Sequence, residues 1–188
     1  LFYFTWANLM NRVSSSLGAI SIFLLTIMLF ISGCGADKTP QEVFLEGKTM
    51  GTTYHIKYFA DDKSVDATKL QQQIDTQLKA VNQSMSTYIP DSEINTFNKL
   101  PANQVMPISE DFRAVVSESI RLGKSTKTLD VTMGPLIDLW GFGPDKKPTK
   151  RPSDEALAAM IEKIGVDKLN LTEQGLAKTV DGLELSFS

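Results

Sequence analysis

The sequence predicts an α+β domain, an antiparallel sheet with packed helices, preceded by a signal or lipoprotein segment. Alternation of apolar and polar residues runs from Val43 to Phe59, gives way to three- and four-residue apolar spacing mid-chain, and returns after Lys168. Strands first, helices next and a meander last is the order of an α+β fold rather than of repeating β–α units. With 188 residues and 42% hydrophobic content, the chain has room for one ordinary domain with a real core. The final strand pattern reaches Ser188 without a turn, cap or charged tail. The domain is therefore expected to be incomplete, the N-terminal part of a longer protein.

The first element is not part of the domain. Leu17 to Ile31 is an uncharged apolar run, preceded by Arg12 and followed by Ser32-Gly33-Cys34. A basic flank, an apolar stretch and small residues at the end describe a secretory signal. The run is shorter than the roughly 20 residues a spanning helix needs. Ile31-Ser-Gly-Cys34 reads as a lipobox, with the thiol of Cys34 lipidated and becoming the mature N-terminus; an uncleaved anchor with an incidental Cys is the alternative. The expected division is residues 1–34 as signal, 35–41 as tether and 42–188 as the domain. Either way the body sits outside the cytoplasm, held at a membrane. As the single cysteine, Cys34 allows no internal disulfide. Loss of residues 1–33 removes Arg12 and no acid, taking the formal charge from −3 to −4. An acidic body with no Lys/Arg cluster is poor material for binding nucleic acid.

Val43–Glu46 and Thr52–Phe59 predict two strands around Gly47-Lys-Thr-Met-Gly51, with Thr52, Tyr54, Ile56 and Tyr58 on one face of the second. Leu70, Ile74, Leu78, Val81 and Met85 form the inward stripe of a helix over roughly 66–86. Glu93–Asn98 is a helical turn. A second helix, about 109–125, turns Phe112, Val115, Val116 and Ile120 inward. Ser153 caps a third, Asp154–Ile164, with Leu157, Met160, Ile161 and Ile164 inward and Gly165 as its stop. Strands at 168–172, 176–180 and 183–187 follow, joined by turns at Glu173-Gln-Gly175 and Asp181-Gly182.

The run Leu129–Pro144 stands apart. Gly134, Pro135, Gly141, Gly143 and Pro144 do not suit a plain core helix, and Leu136, Ile137, Leu139, Trp140 and Phe142 do not suit a plain surface loop. It reads as a ligand-facing loop, a short helix and a second loop, with Trp140, Phe142 and the glycines able to wall a flat pocket. Asp130, between Leu129 and Val131, needs partners because unpaired burial of a carboxylate is expensive. It can accept hydrogen bonds from a ligand or cap the helix opened by Pro135. Met50, beside Gly51, is either a core side chain at a turn or a ligand contact. Tyr88 either stacks on a planar ring or is a half-buried aromatic at a helix end. His55, the single histidine, lies on a polar strand face, which argues against a Ser-His-Asp or His-rich metal site. No glycine-rich phosphate loop is present.

Four segments together resemble the FAD:protein FMN transferases, a family also labelled thiamine-biosynthesis lipoproteins. They are the lipobox at Cys34, Met50-Gly-Thr-Thr-Tyr54, Ser86-Thr-Tyr-Ile-Pro-Asp-Ser-Glu-Ile-Asn-Thr-Phe-Asn98 and Asp130-Val-Thr-Met-Gly-Pro-Leu-Ile-Asp-Leu-Trp-Gly-Phe-Gly-Pro144. The resemblance implies a periplasmic, lipid-anchored enzyme that uses Mg²⁺ to transfer FMN from FAD to a Thr or Ser hydroxyl of a partner protein, releasing AMP. The acceptors it implies are subunits of membrane redox complexes. By motif position, Met50 and Tyr88 would line the FAD site. Thr128-Leu129-Asp130 would contact FAD in place of the family's Ala-Phe-Asp, of which Asp130 is retained. In the family an Asp-containing strand, a Lys-Gly-Tyr helix and a distant acidic and Thr cluster holding Mg²⁺ come next. Here Ser186 stands where that Asp is expected, and the metal ligands are expected beyond Ser188. The 188-residue chain alone is therefore expected to be inactive or nearly so. A membrane-tethered flavin-binding lipoprotein without catalysis is the competing reading.

Overall fold

A computed structural model describes residues 40–60, 65–144 and 150–187. The expected signal segment with Cys34, all but the last two residues of the expected tether, and residues 61–64, 145–149 and 188 lie outside the described residues. Within them the order is β1 (Gln41–Thr49), β2 (Thr52–Ala60), α1 (Ala67–Met85), α2 (Glu93–Asn98), α3 (Glu110–Thr126), α4 (Gly134–Leu139), α5 (Asp154–Ile161), a 3₁₀ turn (Val166–Lys168), β3 (Leu169–Thr172) and β4 (Gly175–Lys178). This is the expected mixed fold. The outer hairpin ends, residues 40–43 and 58–60, belong to a small unit of their own. The larger unit starts at Phe44, leaves out residues 58–64, and contains every helix of the described residues and the β3–β4 pair.

β1 and β2 form a two-stranded sheet. The first strand is longer than its apolar pattern suggests and takes in Gly47-Lys-Thr49, because Tyr54 lays its ring across Gly47. A Cβ on Gly47 would lie 2.5 Å from the Tyr54 ring. The turn therefore shrinks to Met50 and Gly51, both with positive φ (50° and 72°), the backbone a two-residue hairpin needs. The Tyr54 hydroxyl donates to Asp75 of α1 at 2.6 Å, and this bond pushes its pKa up to about 12.

Asp66 caps α1 by accepting from the amides of Thr68 and Lys69. Leu70, Ile74, Leu78 and Met85 are half-buried as expected, but Val81 is 37% exposed and faces a cavity beside the β1–β2 turn. Ser92 and Ser109 cap α2 and α3 by the same device. Glu93 ties three helices together: its carboxylate accepts from Ser84 Oγ of α1 at 2.7 Å and from the N–H (2.6 Å) and Oγ (2.7 Å) of Ser109 at the start of α3.

The core is built from Ile94 and Phe97 of α2, Phe112 and Val116 of α3, Val131, Val166, Leu169, Leu176, Leu183 and Leu185. Val115 and Ile120 sit at its margin, half-buried. α5 ends at Ile161, and Ile161 is 54% exposed instead of inward. Its last turn tightens, with Lys163 and Ile164 donating to Met160 and Ile161. The Lys168 ammonium holds the carbonyls of Glu162 (2.6 Å) and Ile164 (2.8 Å).

The expected three-stranded meander is corrected. β3 and β4 pair antiparallel, Leu169 opposite Lys178 and Thr172 opposite Gly175. Residues 183–187 do not join them: Glu184 lies parallel to Met133 in an isolated bridge. The reason is that other partners claim this backbone. Asn98 both donates to Leu185 O (3.0 Å) and accepts from Leu185 N (2.8 Å), Lys178 donates to Leu183 O (2.8 Å), and Ser186 N donates to Val131 O (2.8 Å).

Candidate functional site

Two cavities meet at Thr87 and Tyr88. The larger, about 820 Å³, lies between the β1–β2 turn and the end of α1, and is lined by Met50, Gly51, Val81, Asn82, Met85, Ser86, Ile89 and Phe187 besides those two. The smaller, about 330 Å³, is bounded by Pro90, Asn95, Asn98 and Lys99 of the α2 region, by Gly134, Ile137, Asp138 and Phe142–Pro144, and by Glu184–Ser186.

Tyr88 is 62% exposed, yet its loop is held firmly. Asn95 donates to the carbonyls of Thr87 (2.8 Å) and Ile89 (2.9 Å), Lys99 donates to Pro90 O (2.7 Å), and Ser86 Oγ accepts from Tyr88 N (3.2 Å). The Tyr88 hydroxyl reaches Phe142 O at 3.4 Å, so the ring stands as a partition between the cavities. An aromatic face presented this way, with Met50 and Met85 nearby, suits a flat conjugated ring. Asn95 and Lys99 went unread in the sequence. The only signal that could have found Asn95 is its place three residues after the Ser92 cap, on the side of the short helix facing the loop.

The structure brings Met50 and Tyr88 to one cavity. It does not bring Thr128, Leu129 and Asp130 there. Thr128 and Leu129 are exposed beyond the end of α3, which Lys127 closes in the left-handed conformation (φ 55°). Asp130 does not cap the Pro135 helix, whose N-cap is Met133 without a side-chain bond. It makes a tighter turn instead, with Oδ1 accepting from Thr132 N at 2.9 Å and from the Thr132 hydroxyl. The buried Thr132 Oγ in turn accepts from Gly165 N at 2.6 Å. Among the described residues no hydrogen bond reaches Asp130 Oδ2.

The short helix expected in the Leu129–Pro144 run is α4, opened by Pro135 near its first turn. Its exit, Phe142–Pro144, lines the smaller cavity, whereas Trp140 is 40% exposed and lines neither. His55 pairs with Glu46 at 3.7 Å and stacks on Phe44, away from both cavities.

One buried and one half-buried ionisable group, Lys178 and Glu184, border this region. Burial pushes Glu184 above the usual carboxylate range, and Asp138 adds to the shift by its charge and its hydrogen bond; Lys178 and Lys163 oppose it. Burial likewise lowers Lys178, against the pull of Glu184 and Asp181. Its ammonium donates to Asn98 O and Leu183 O, both at 2.8 Å, and lies 5.4 Å from the Phe97 ring centre. Among the described residues no group of three or more His, Cys, Asp or Glu is placed to hold a metal ion.

Comparison with known proteins accounts for the combination. The chain is 45% identical over 152 residues to the FAD:protein FMN transferase of Haemophilus influenzae, covering 79% of this chain and 44% of that protein. It is 41% identical over 165 residues to the FAD:protein FMN transferase of Vibrio cholerae, covering 87% and 49%. It thus spans about half the length of the curated relatives it matches. The solved flavin transferase ApbE from Vibrio cholerae superimposes with a TM-score of 0.75, covering 78% of this chain and 48% of that one. The apo flavinyl transferase ApbE of Pseudomonas stutzeri gives 0.75 at 31% identity, covering 79% and 50%. A family model described as the ApbE family matches residues 50–188. From Met50 onward, through both cavity walls and the 183–187 segment that closes the core, this chain belongs to the ApbE family.

Proposed function

We propose that the full protein transfers FMN from FAD to a Thr or Ser hydroxyl of an acceptor protein. The observation that carries this is the cavity of about 820 Å³ that gathers Met50, Met85 and Tyr88 at one wall of a fold shared with flavin transferases. In the transfer, the acceptor oxygen bonds to the flavin-side phosphorus, the anhydride bond breaks, and AMP leaves as the hydroxyl proton is lost. Bound Mg²⁺ would neutralise the pyrophosphate. The described residues do not assemble a donor set for it, so no step here passes through the metal.

The work of these residues is to bind and orient. Tyr88 offers a ring face on a loop that Asn95 holds, and Met50 lines the same cavity from the hairpin turn. Thr128, Leu129 and Asp130 form a second, exposed contact, in which Asp130 uses Oδ1 for its own turn and offers Oδ2 to FAD. Cys34 carries the lipid that holds the protein at the periplasmic side of a bacterial membrane, beside acceptor subunits of membrane redox complexes. Among the described residues no helix is long and apolar enough to cross a membrane.

The test is to incubate the complete gene product with FAD, Mg²⁺ and a candidate acceptor, then measure AMP release and flavin fixed covalently to the acceptor. Both are expected. FAD binding without either product would favour the non-catalytic flavin-binding lipoprotein instead. For the anchor, labelled fatty acid should be incorporated by the wild type and lost in Cys34→Ala.

A further inference from the structure

Asp130 is only half-buried, and the carboxylate of such a residue turns freely about its last bond unless something holds it. Thr132 is placed to hold it. The Thr132 side chain is wholly buried, and a buried hydroxyl needs partners. A backbone N–H only donates and a carboxylate only accepts, whereas a hydroxyl has one proton to give and lone pairs to accept with. Gly165 N donates to Thr132 Oγ at 2.6 Å, so the single hydroxyl proton is left for Asp130 Oδ1, to which it donates. The Thr132 amide donates to the same oxygen at 2.9 Å. We propose that Thr132 is a positioning residue for FAD. Aimed by Gly165, it occupies Asp130 Oδ1 with two donors, fixes the plane of the carboxylate, and reserves Oδ2 for a donor group of the ligand.

Both ends of this relay are anchored by backbone. Val131, between the two residues, is buried, and its carbonyl accepts from Ser186 N at 2.8 Å. On the other side of Asp130, Leu129 O rests against Gly123 of α3. A Cβ on Gly123 would lie 3.0 Å from that oxygen and 2.9 Å from both methyl groups of Val166. Leu129 and Val166 therefore close on α3 over the same glycine. Gly165, the residue before Val166, has φ 132°, a conformation that favours glycine, and a Cβ there would sit 2.5 Å from Asp167 Oδ1. Lys168 fixes the same corner, its amide donating to Gly165 O at 3.0 Å and its ammonium to Ile164 O at 2.8 Å. The N–H that aims Thr132 thus comes from backbone with little freedom.

The arrangement also sets what Asp130 recognises. A carboxylate oxygen attracts an O–H or N–H group and repels phosphate. Asp130 therefore orients FAD through a hydroxyl or a ring N–H, not through its pyrophosphate. The effect on FAD rests on the proposed role of Asp130 as an FAD contact; the relay from Gly165 through Thr132 does not.

The experiment measures FAD affinity by fluorescence titration, and hydrogen exchange at the Gly165 amide, in the full-length wild type and its variants. Thr132→Val keeps the side-chain shape without the hydroxyl and should weaken FAD about tenfold, the worth of one hydrogen bond to a charged group. In an Asp130→Asn background the same substitution should weaken FAD no further. Thr132→Ser, which keeps the hydroxyl, should bind FAD as the wild type does. Asp130→Glu keeps the charge, but its extra methylene carries the carboxylate off Thr132, so it should bind no better than Asp130→Asn. This variant decides the matter even if Thr132→Val folds poorly. Equal weakening by Thr132→Val in both backgrounds, a loss in Thr132→Ser as large as in Thr132→Val, or wild-type affinity in Asp130→Glu overturns the positioning role. Wild-type affinity in Asp130→Asn counts against the Asp130 contact itself, and exchange then decides the relay. The Gly165 amide should exchange faster in Thr132→Val and not in Thr132→Ser; an unchanged rate in Thr132→Val overturns the relay.

Discussion

The two cavities that meet at Tyr88 differ in what lines them and in what holds them open. The larger is walled by methionines, Val81, Ile89 and Phe187, with no carboxyl or amine group among its lining residues. The smaller contains Asp138, Glu184 and Lys99. The first is shaped by side chains at a hairpin turn and a helix end, positions that yield easily. The second is shaped by backbone held in hydrogen bonds from Asn95, Asn98 and Gly134. One aromatic ring therefore separates an uncharged, adaptable space from a charged, fixed one. A molecule with a flat apolar end and a charged end could use both at once.

The largest expected effect comes from breaking the fixed side. Asn98→Ala leaves the Leu185 N–H and C=O without partners and should cost about 2–4 kcal/mol in urea unfolding. A loss below about 1 kcal/mol would mean that the 183–186 segment is held by its leucines alone. Next comes the partition. Tyr88→Ala should weaken FAD binding by about 2 kcal/mol with little change in stability, since the ring is already exposed. Equal affinity in a fluorescence titration would remove Tyr88 from the site. Asp130→Asn keeps the turn onto Thr132 but loses the charge, and should weaken FAD by about 1–2 kcal/mol. If only Asp130→Ala has an effect, and only on stability, the carboxylate belongs to the turn. The smallest effect is that of Tyr88→Phe. Its 3.4 Å bond to Phe142 O is long and exposed, so about 0.5 kcal/mol or less should separate the two proteins in either assay.

The adaptable side was the more legible in the sequence. Met50 and Tyr88 sit in short motifs, and Phe112 and Val116 follow a helical period that local pattern reveals. The fixed side was not, for a physical reason. Asn98 grips Leu185 across 87 residues, and no periodicity encodes a side chain-to-backbone bond of that span. The same blindness produced the third meander strand. Leu183 and Leu185 do alternate with polar neighbours, but Asn98, Lys178 and Val131 hold their backbone, so alternation was right and the pairing wrong. Val81 and Ile161 kept the helical spacing while pointing at a cavity and at solvent. Spacing specifies which residues share a stripe; what lies opposite decides whether the stripe is covered.

The grip of Asn98 on Leu185 also sets an order in time. Leu183 and Leu185 are wholly buried beside Ile94, Phe97 and Phe112, which a ribosome makes much earlier. A core closed by such distant contacts cannot form stepwise from the N-terminus, and must carry the full entropy of that loop before any contact rewards it. While residues 40–180 are exposed and waiting, Phe97 and Phe112 lack their final cover. This fold therefore depends on whatever shields apolar surface in a chain that is still being made.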